Sequence, residues 1–350
     1  MNGKIDIKSM LPEEIAAFLA PYGQPAYRAR QIFSWLHRGA ESFDEMTDLS
    51  RELRAFLQEK TVITVPKVEK RLVSDLDDTV KYLYAMQDGE CVESVLMRYH
   101  HGDSVCVSTQ AGCRMNCAFC ASAIGGLKRN LTPSEILDQI LFTSKRENRK
   151  VGSVVLMGTG EPLDNYDNVL RFLRLLGCEG GLRMSLRHVS LSTCGLVDRI
   201  YDLMKEKLQL TLSVSLHAPN DDIRSRIMTM SRRWDIDSLL AACRDYINAT
   251  GRRISFEYAM LDGVNDSDAC ARELAARLRG MLCHVNLIPA NEVRERAGAY
   301  RQSPAQRVRH FSDILSASGL NVTVRRTLGA DINASCGQLR HAYRAGKGGS

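Results

Sequence analysis

Three cysteines fall within the stretch Gly112-Cys113-Arg114-Met115-Asn116-Cys117-Ala118-Phe119-Cys120, spaced four and three positions apart. A short loop at that spacing turns all three sulfurs onto one metal centre, which an ordinary helix or strand does not. Soft thiolates suit an iron–sulfur cluster or zinc. A closed structural zinc site takes four ligands, usually as two Cys-x2-Cys pairs, and no second pair follows downstream. Cys113, Cys117 and Cys120 therefore predict an iron–sulfur cluster with an open corner. The alternatives are a structural zinc loop or chance clustering in a chain with 11 cysteines.

Three thiolates leave the fourth iron of a [4Fe–4S] cluster without a protein ligand, and the amino and carboxylate groups of S-adenosylmethionine would chelate there. The Cys-x3-Cys-x2-Cys spacing, with Phe119 just before the last cysteine, resembles the radical SAM superfamily.

The elements that must position this loop follow from periodicity. From residue 103 onward, strand, loop and helix patterns repeat, with strands expected at 104–108, 152–157, 188–192, 208–215, 253–259 and 283–288. Thr132-Pro133-Ser134-Glu135 reads as a capping box with proline at the first helical position, and Ser303-Pro304-Ala305-Gln306 repeats the signal. Six such units predict an α/β fold with a partial parallel (β/α)6 TIM-like barrel. The unusual residues fall at strand ends: the cysteine loop, then Gly158-Thr159-Gly160-Glu161-Pro162, Ser192-Thr193-Cys194-Gly195, Ser215-Leu216-His217-Ala218, and the segment from Asn286 to Asn291. In a parallel barrel those ends meet at one mouth.

S-adenosylmethionine needs close backbone passage and polar partners. Gly158 and Gly160 allow the first, Glu161 can pair with the ammonium or ribose, and Ser192, Ser215, Leu216, His217 and Asn291 complete the candidate cofactor site. Each has an ordinary reading as well, as buried strand hydroxyls, a satisfied core histidine or a turn residue.

Ahead of the barrel, residues 1–62 read as a small helical accessory domain with apolar stripes Ile15/Phe18/Leu19, Ile32/Phe33/Leu36 and Met46/Leu49/Leu53/Phe56/Leu57. Around its second helix, Tyr27, Arg28, Arg30, Gln31, Trp35, His37 and Arg38 could stack on folded RNA, or Tyr27 and Trp35 could pack inward. Residues 63–98 read as a β-hairpin linker turning at Asp88-Gly89. Alternation puts Glu93 on the face of Cys91, Val95 and Met97, either as an edge charge reaching water or as a desolvated base. The core is expected at 99–335, with a C-terminal loop and short basic tail at 336–350.

With 44% hydrophobic and 25% charged residues, the composition is that of a soluble protein, without an apolar run long enough to span a membrane or a signal-peptide start. Scattered cysteines imply a reducing compartment, and a cytoplasmic location is expected. Residues 291–350 hold ten Lys/Arg against four Asp/Glu, an excess equal to the whole net charge of +6. That suits a polyanion-binding face, or a merely solvated one.

Two further cysteines stand apart: Cys106 on the first barrel strand, and Cys336 in the small-residue run Ala334-Ser335-Cys336-Gly337-Gln338-Leu339. With Glu93, the three cluster cysteines, the Gly-Glu-Pro loop, the Ser-Leu-His-Ala strand end and the Asn-Leu-Ile-Pro-x-Asn segment, they make the whole chain resemble the RlmN/Cfr family of RNA methyltransferases. The resemblance implies two S-adenosylmethionine molecules per turnover. One methylates Cys336; the other yields a 5′-deoxyadenosyl radical that takes a hydrogen from that methyl group. The methylene radical would join Cys336 to an adenosine, Glu93 would accept the C2 proton, and Cys106 would form a transient disulfide with Cys336 that releases 2-methyladenosine.

The implied substrates are 23S rRNA at the peptidyl-transferase centre and the tRNA adenosine beside the anticodon. The implied electron donor is flavodoxin with its reductase, or ferredoxin, and the chain is expected to act as a monomer. Ile227-Met228-Thr229-Met230-Ser231 departs from the family's usual Met-Pro-x-Asn and puts local loop geometry in question. Methylation at C8, and a non-catalytic zinc-bearing RNA-binding protein, are the competing readings.

Overall fold

The computed structural model describes residues 3–290 and 300–334. Asn291 and Cys336 lie outside the described residues.

Strand β1 (Ile5–Asp6) precedes helices α1 (Pro12–Leu19), α2 (Tyr27–His37) and α3 (Arg51–Lys60), and β2 (Thr61–Val62) pairs in parallel with β1. The three apolar stripes meet in one cluster in which Ile15, Ile32, Leu36 and Leu57 are fully enclosed. Burying each such side chain stabilises the unit by about 2 kcal/mol. The third stripe is helical only in part: Met46 and Leu49 are buried but precede α3, which Ser50 caps by accepting from the Leu53 amide at 3.2 Å.

The small unit docks on the core through a buried polar knot. Lys8 Nζ donates to Asp138 Oδ1 and to the Thr64 carbonyl, both at 2.6 Å, and the Thr64 hydroxyl donates to Asp138 Oδ2 at 2.6 Å.

Strands β3 (Lys67–Val73), β4 (Val80–Ala85), β5 (Cys91–Tyr99) and β6 (Gly102–Cys106) follow, then the short pair β7 (Gln110–Ala111) and β8 (Arg129–Asn130). Helix α4 (Pro133–Glu147) leads to β9 (Val151–Leu156), α5 (Tyr166–Gly177), β10 (Val189–Thr193), α6 (Val197–Lys205) and β11 (Thr211–Ser215). The series ends with α7 (Asp221–Ile227), α8 (Ile236–Thr250), β12 (Ile254–Met260), α9 (Asp268–Leu278), β13 (Cys283–Pro289), α10 (Ala305–Ala317) and β14 (Val322–Val324).

Ten strands form one sheet in the order β14-β13-β12-β11-β10-β9-β6-β5-β4-β3. The six expected barrel strands are parallel neighbours, and β14 adds a seventh beside β13. Among the described residues the order is linear, with β14 and β3 at its ends, so these strands form an incomplete barrel. The hairpin β4–β5 forms around Asp88-Gly89 and is stitched antiparallel into this same sheet between β3 and β6.

The capping box of α4 forms: Glu135 accepts from the Thr132 amide at 2.9 Å, and the Thr132 hydroxyl accepts from the Glu135 amide at 3.3 Å. The matching signal before α10 starts a helix without a box. There Ser303 donates to Asp266 at 2.8 Å, a tertiary partner that outcompetes the local cap.

Candidate active site

The cysteine loop leaves β7 through Gly112, whose φ of +92° suits glycine. A Cβ there would lie 2.0 Å from the Gly126 carbonyl oxygen, so the loop closes tightly on its own return strand. The departing segment after α7 supports the loop from the other side: the Ala118 amide donates to the Ile227 carbonyl at 2.9 Å, and the Thr229 hydroxyl donates to the Met115 carbonyl at 2.5 Å.

Cys113, Cys117 and Cys120 line one cavity of about 280 Å³ at the carboxyl ends of the parallel strands, together with Phe119, Gly158, Gly160, Glu161, Ser192, Ser215, His217 and Glu257. The expected convergence therefore occurs. Burial pushes the Cys113 thiol up to about 12 and the Cys117 thiol higher, with neighbouring thiols adding to both. Such groups become thiolates at neutral pH only when a cation takes the charge.

Gly160 has a different reason from the one its motif suggests. With φ +111°, its missing Cβ would meet Gln110 Cβ at 2.6 Å, so it lets its loop pack on β7 while it also lines the cavity. Glu161 is 3% exposed; its Oε2 accepts from the Cys194 amide at 2.7 Å and its Oε1 from the Leu163 amide at 3.0 Å. Burial raises its carboxyl in spite of those bonds. The carboxylate thus ties two strand ends together as well as facing the cavity.

His217 adopts φ +57° and accepts at Nδ1 from the Ala259 amide at 2.9 Å. Burial lowers its pKa to about 3, with Arg224 adding to the effect. It is a neutral ring whose proton sits on Nε2. Phe119 stands edge-on to it, ring centroids 4.9 Å apart. The Leu216 side chain, in contrast, is wholly buried in the core, and this position contributes its carbonyl to Arg224 Nε at 3.2 Å.

A second cavity, of about 380 Å³, shares Met157, Ile288, Pro289 and Arg325 with the first and is lined by Val95, Met97, Cys106 and Ala334. Cys106 is 5% exposed and sits opposite Val95 in the β5–β6 ladder. Glu93 is 2% exposed and ion-paired with Lys81 at 2.8 Å, so the reading as an edge charge reaching water is corrected.

Residues missed in the sequence are Arg224, Glu257 and Lys81. Glu257 receives hydrogen bonds from Ser255 at 2.9 Å and Asn286 at 2.7 Å. Arg224 reads as one charge on a solvated helix, yet is 1% exposed. Lys81 had a usable signal: opposite charges on the inward faces of two paired strands. On the helical domain, Tyr27 is 53% exposed under the Arg28 guanidinium and does not pack inward, whereas Trp35 packs partly on the small core.

Residues 107–273 match the Radical SAM superfamily, and residues 5–63 match the ribosomal RNA large subunit methyltransferase N-terminal domain. The chain is 50% identical over 345 residues to the probable dual-specificity RNA methyltransferase RlmN of Desulforamulus reducens, covering 98% of each chain. It is 48% identical to the corresponding protein of Alkaliphilus oremlandii, covering 97% of this chain and 98% of that one. The crystal structure of a radical SAM methyltransferase from Sphaerobacter thermophilus superposes with a TM-score of 0.91 at 44% identity, over 95% of this chain and 98% of that one.

The chain belongs to the RlmN family of radical SAM methyltransferases. Membership sets aside the non-catalytic reading and implies a [4Fe–4S] cluster and S-adenosylmethionine. The residues fit both groups: three soft thiols on one cavity wall, and hydroxyl, imidazole and carboxylate groups on the facing walls. Among the described residues no three His, Cys, Asp or Glu side chains converge as a single-ion site requires, whereas a cluster gives each thiolate its own iron. Among the described residues no helix is long and apolar enough to cross a membrane.

Proposed function

We propose that this enzyme methylates C2 of an adenosine in 23S rRNA at the peptidyl-transferase centre, and C2 of the adenosine beside the tRNA anticodon. The observation that carries the reading is the placement of Cys106 and Glu93. Both lie buried on one face of β5–β6; Cys106 lines the second cavity, which shares wall residues with the cysteine-lined one, and Ala334 packs against the cluster of Val95, Met97 and Cys106. Cys336 is two residues beyond Ala334, within about 7 Å of chain reach.

In this reading the bound cluster and S-adenosylmethionine supply one-electron chemistry that activates an otherwise inert methyl group. Two S-adenosylmethionine molecules are used per turnover. Cys336 carries the methyl group as a thioether and becomes bonded to adenine C2 through it. Glu93 accepts the C2 proton. The Cys106 thiol then attacks the Cys336 sulfur, and the disulfide so formed releases the methylated base and is reset by a cytoplasmic reductant. Gly160, Glu161, Ser192, Ser215, His217 and Asn291 hold the cofactor, and a flavodoxin or ferredoxin supplies the electron. The target base must leave its stack to reach the mouth. The exposed Tyr27 beside the half-buried Arg28, with the exposed Arg38 over Trp35 at 4.3 Å, suits folded RNA by stacking and charge.

The test is mass spectrometry of nucleosides after anaerobic incubation of cluster-loaded enzyme with S-adenosylmethionine, a reductant and unmodified large-subunit RNA or tRNA. A 2-methyladenosine peak that is lost in Cys336→Ala is expected. An 8-methyladenosine peak would move the enzyme to C8 chemistry, and no methylated adenosine from either RNA would overturn the reading.

A further inference from the structure

Lys81 lies on β4 with its side chain fully buried. In the hairpin register Leu83 opposes Glu93 and Lys81 opposes Val95, which sets Lys81 and Glu93 diagonally on one face. Nζ is 2.8 Å from Glu93 Oε2, and it also donates to the Asn333 carbonyl at 2.8 Å. One ammonium therefore touches both the carboxylate and the chain three residues before Cys336.

That chain segment has anchors of its own. Asp77 accepts from the Gly329 amide at 2.8 Å, and Asp331 accepts from the Ser74 hydroxyl at 2.6 Å and the Asp75 amide at 2.8 Å. The lysine is thus not needed merely to keep the segment on the hairpin. A buried ion pair is also a weak source of net stability compared with apolar side chains of the same volume. Its value here lies in direction.

We propose that Lys81 is a positioning residue of the methyl-transfer reaction, holding the Glu93 carboxylate and the Cys336 arm in one alignment. The inference rests on the reading of Glu93 as proton acceptor and Cys336 as methyl carrier. A base that takes a proton from carbon must stand within hydrogen-bond reach along the C–H direction. Lys81 fixes the Glu93 rotamer from one side while its second N–H registers the arm that delivers the adduct. When the C2–H bond breaks, the proton binds a Glu93 oxygen and the bonding pair stays on the adduct. The ion pair becomes an ammonium beside a neutral acid, and Glu93 is loosened while the arm stays held.

The experiment compares wild type, Lys81→Met, Lys81→Arg, Glu93→Gln and the Lys81→Met/Glu93→Gln double variant, all cluster-loaded. The expected Lys81→Met enzyme carries wild-type iron and S-methylates Cys336, but accumulates the covalent Cys336–RNA adduct, with kcat for 2-methyladenosine lower by about 100-fold and KM for RNA little changed. Glu93→Gln accumulates the same adduct, and the double variant is no slower than Glu93→Gln alone, because both changes remove one function. Lys81→Arg, which keeps the charge, recovers part of the lost kcat.

Lys81→Met turnover within about 3-fold of wild type would overturn the inference, given the loss expected for a misaligned base. Loss of Cys336 methylation in a folded, iron-loaded Lys81→Met enzyme would do the same, as would additive losses in the double variant. If Lys81→Met does not fold, the arginine variant decides: no adduct and no recovery relative to Glu93→Gln sinks the idea. Wild type without 2-methyladenosine, or a Glu93→Gln enzyme at normal rate, would instead place the failure in the underlying reading.

Discussion

Arg224 Nη2 donates to the Cys194 carbonyl at 2.8 Å, although only 1% of the arginine is exposed. Its Nε also reaches the Leu216 carbonyl at 3.2 Å, so one guanidinium joins the ends of β10 and β11 beneath the cysteine-lined cavity. Those carbonyls have left the sheet ladder and need donors. Arg224→Met removes the donors and is expected to lower stability by about 3 kcal/mol in urea unfolding followed by far-UV circular dichroism. An unchanged midpoint would show that the carbonyls find other partners.

Gly112→Ala strikes the loop itself. A Cβ 2.0 Å from the Gly126 oxygen cannot be accommodated by a rotamer change, because both partners are backbone. The loop must open, and the three thiols lose their common wall. Iron per chain after reconstitution is expected to fall to roughly half or less of wild type, with secondary structure retained. Full iron loading would mean that the glycine is dispensable.

His37 sets an acid limit on the helical domain. It is buried against Phe33, ring centroids 3.9 Å apart, and among the described residues neither ring nitrogen has a hydrogen-bond partner. Burial, with the Lys8 charge adding, lowers its pKa from 6.5 to about 3. Between those values the unfolded chain binds a proton that the folded chain refuses, so stability rises with pH across that window and is lost as pH falls through it. The slope from this group is up to about 1.4 kcal/mol per pH unit. His37→Phe is expected to flatten the dependence of the thermal midpoint between pH 4 and 6.5, and an unaltered slope would place the acid sensitivity elsewhere.

Cys106→Ala tests the order of events at the second cavity. The cysteine-lined cavity is untouched by the change, so cluster loading, Cys336 methylation and adduct formation are expected to persist. Release is expected to stop, leaving RNA bonded to protein as a slow-moving band on denaturing gels. Normal release without the Cys106 thiol would remove the disulfide step from the reaction.

The chemistry-bearing positions were legible one by one because their spacing is local. Cys113, Cys117 and Cys120 announce a soft-metal loop by sequence distance alone. The strand ends carrying Gly160, Ser192, Ser215 and His217 were legible because parallel barrel strands deliver their carboxyl ends to one mouth, and each expected strand formed. The three residues of β14 are too short a run to show a period and went unread, and β3 went unread as well because none of its seven residues is buried. The cap before α10 misled because Ser303 found Asp266, 37 positions away in sequence.

The sequence by itself determined the cysteine loop, the barrel repeat, the hairpin and its turn, since these follow from short-range spacing and period. Only the tertiary structure decided what Glu93, Lys81, Arg224 and Glu161 do. A charged side chain reads the same on paper whether it meets water or a partner. Its role depends on desolvation and on which group from a distant segment closes on it: Asn333 above Lys81, Cys194 beside both Arg224 and Glu161. That closure is a property of the packed sheet and its loops, and no stretch of chain contains it.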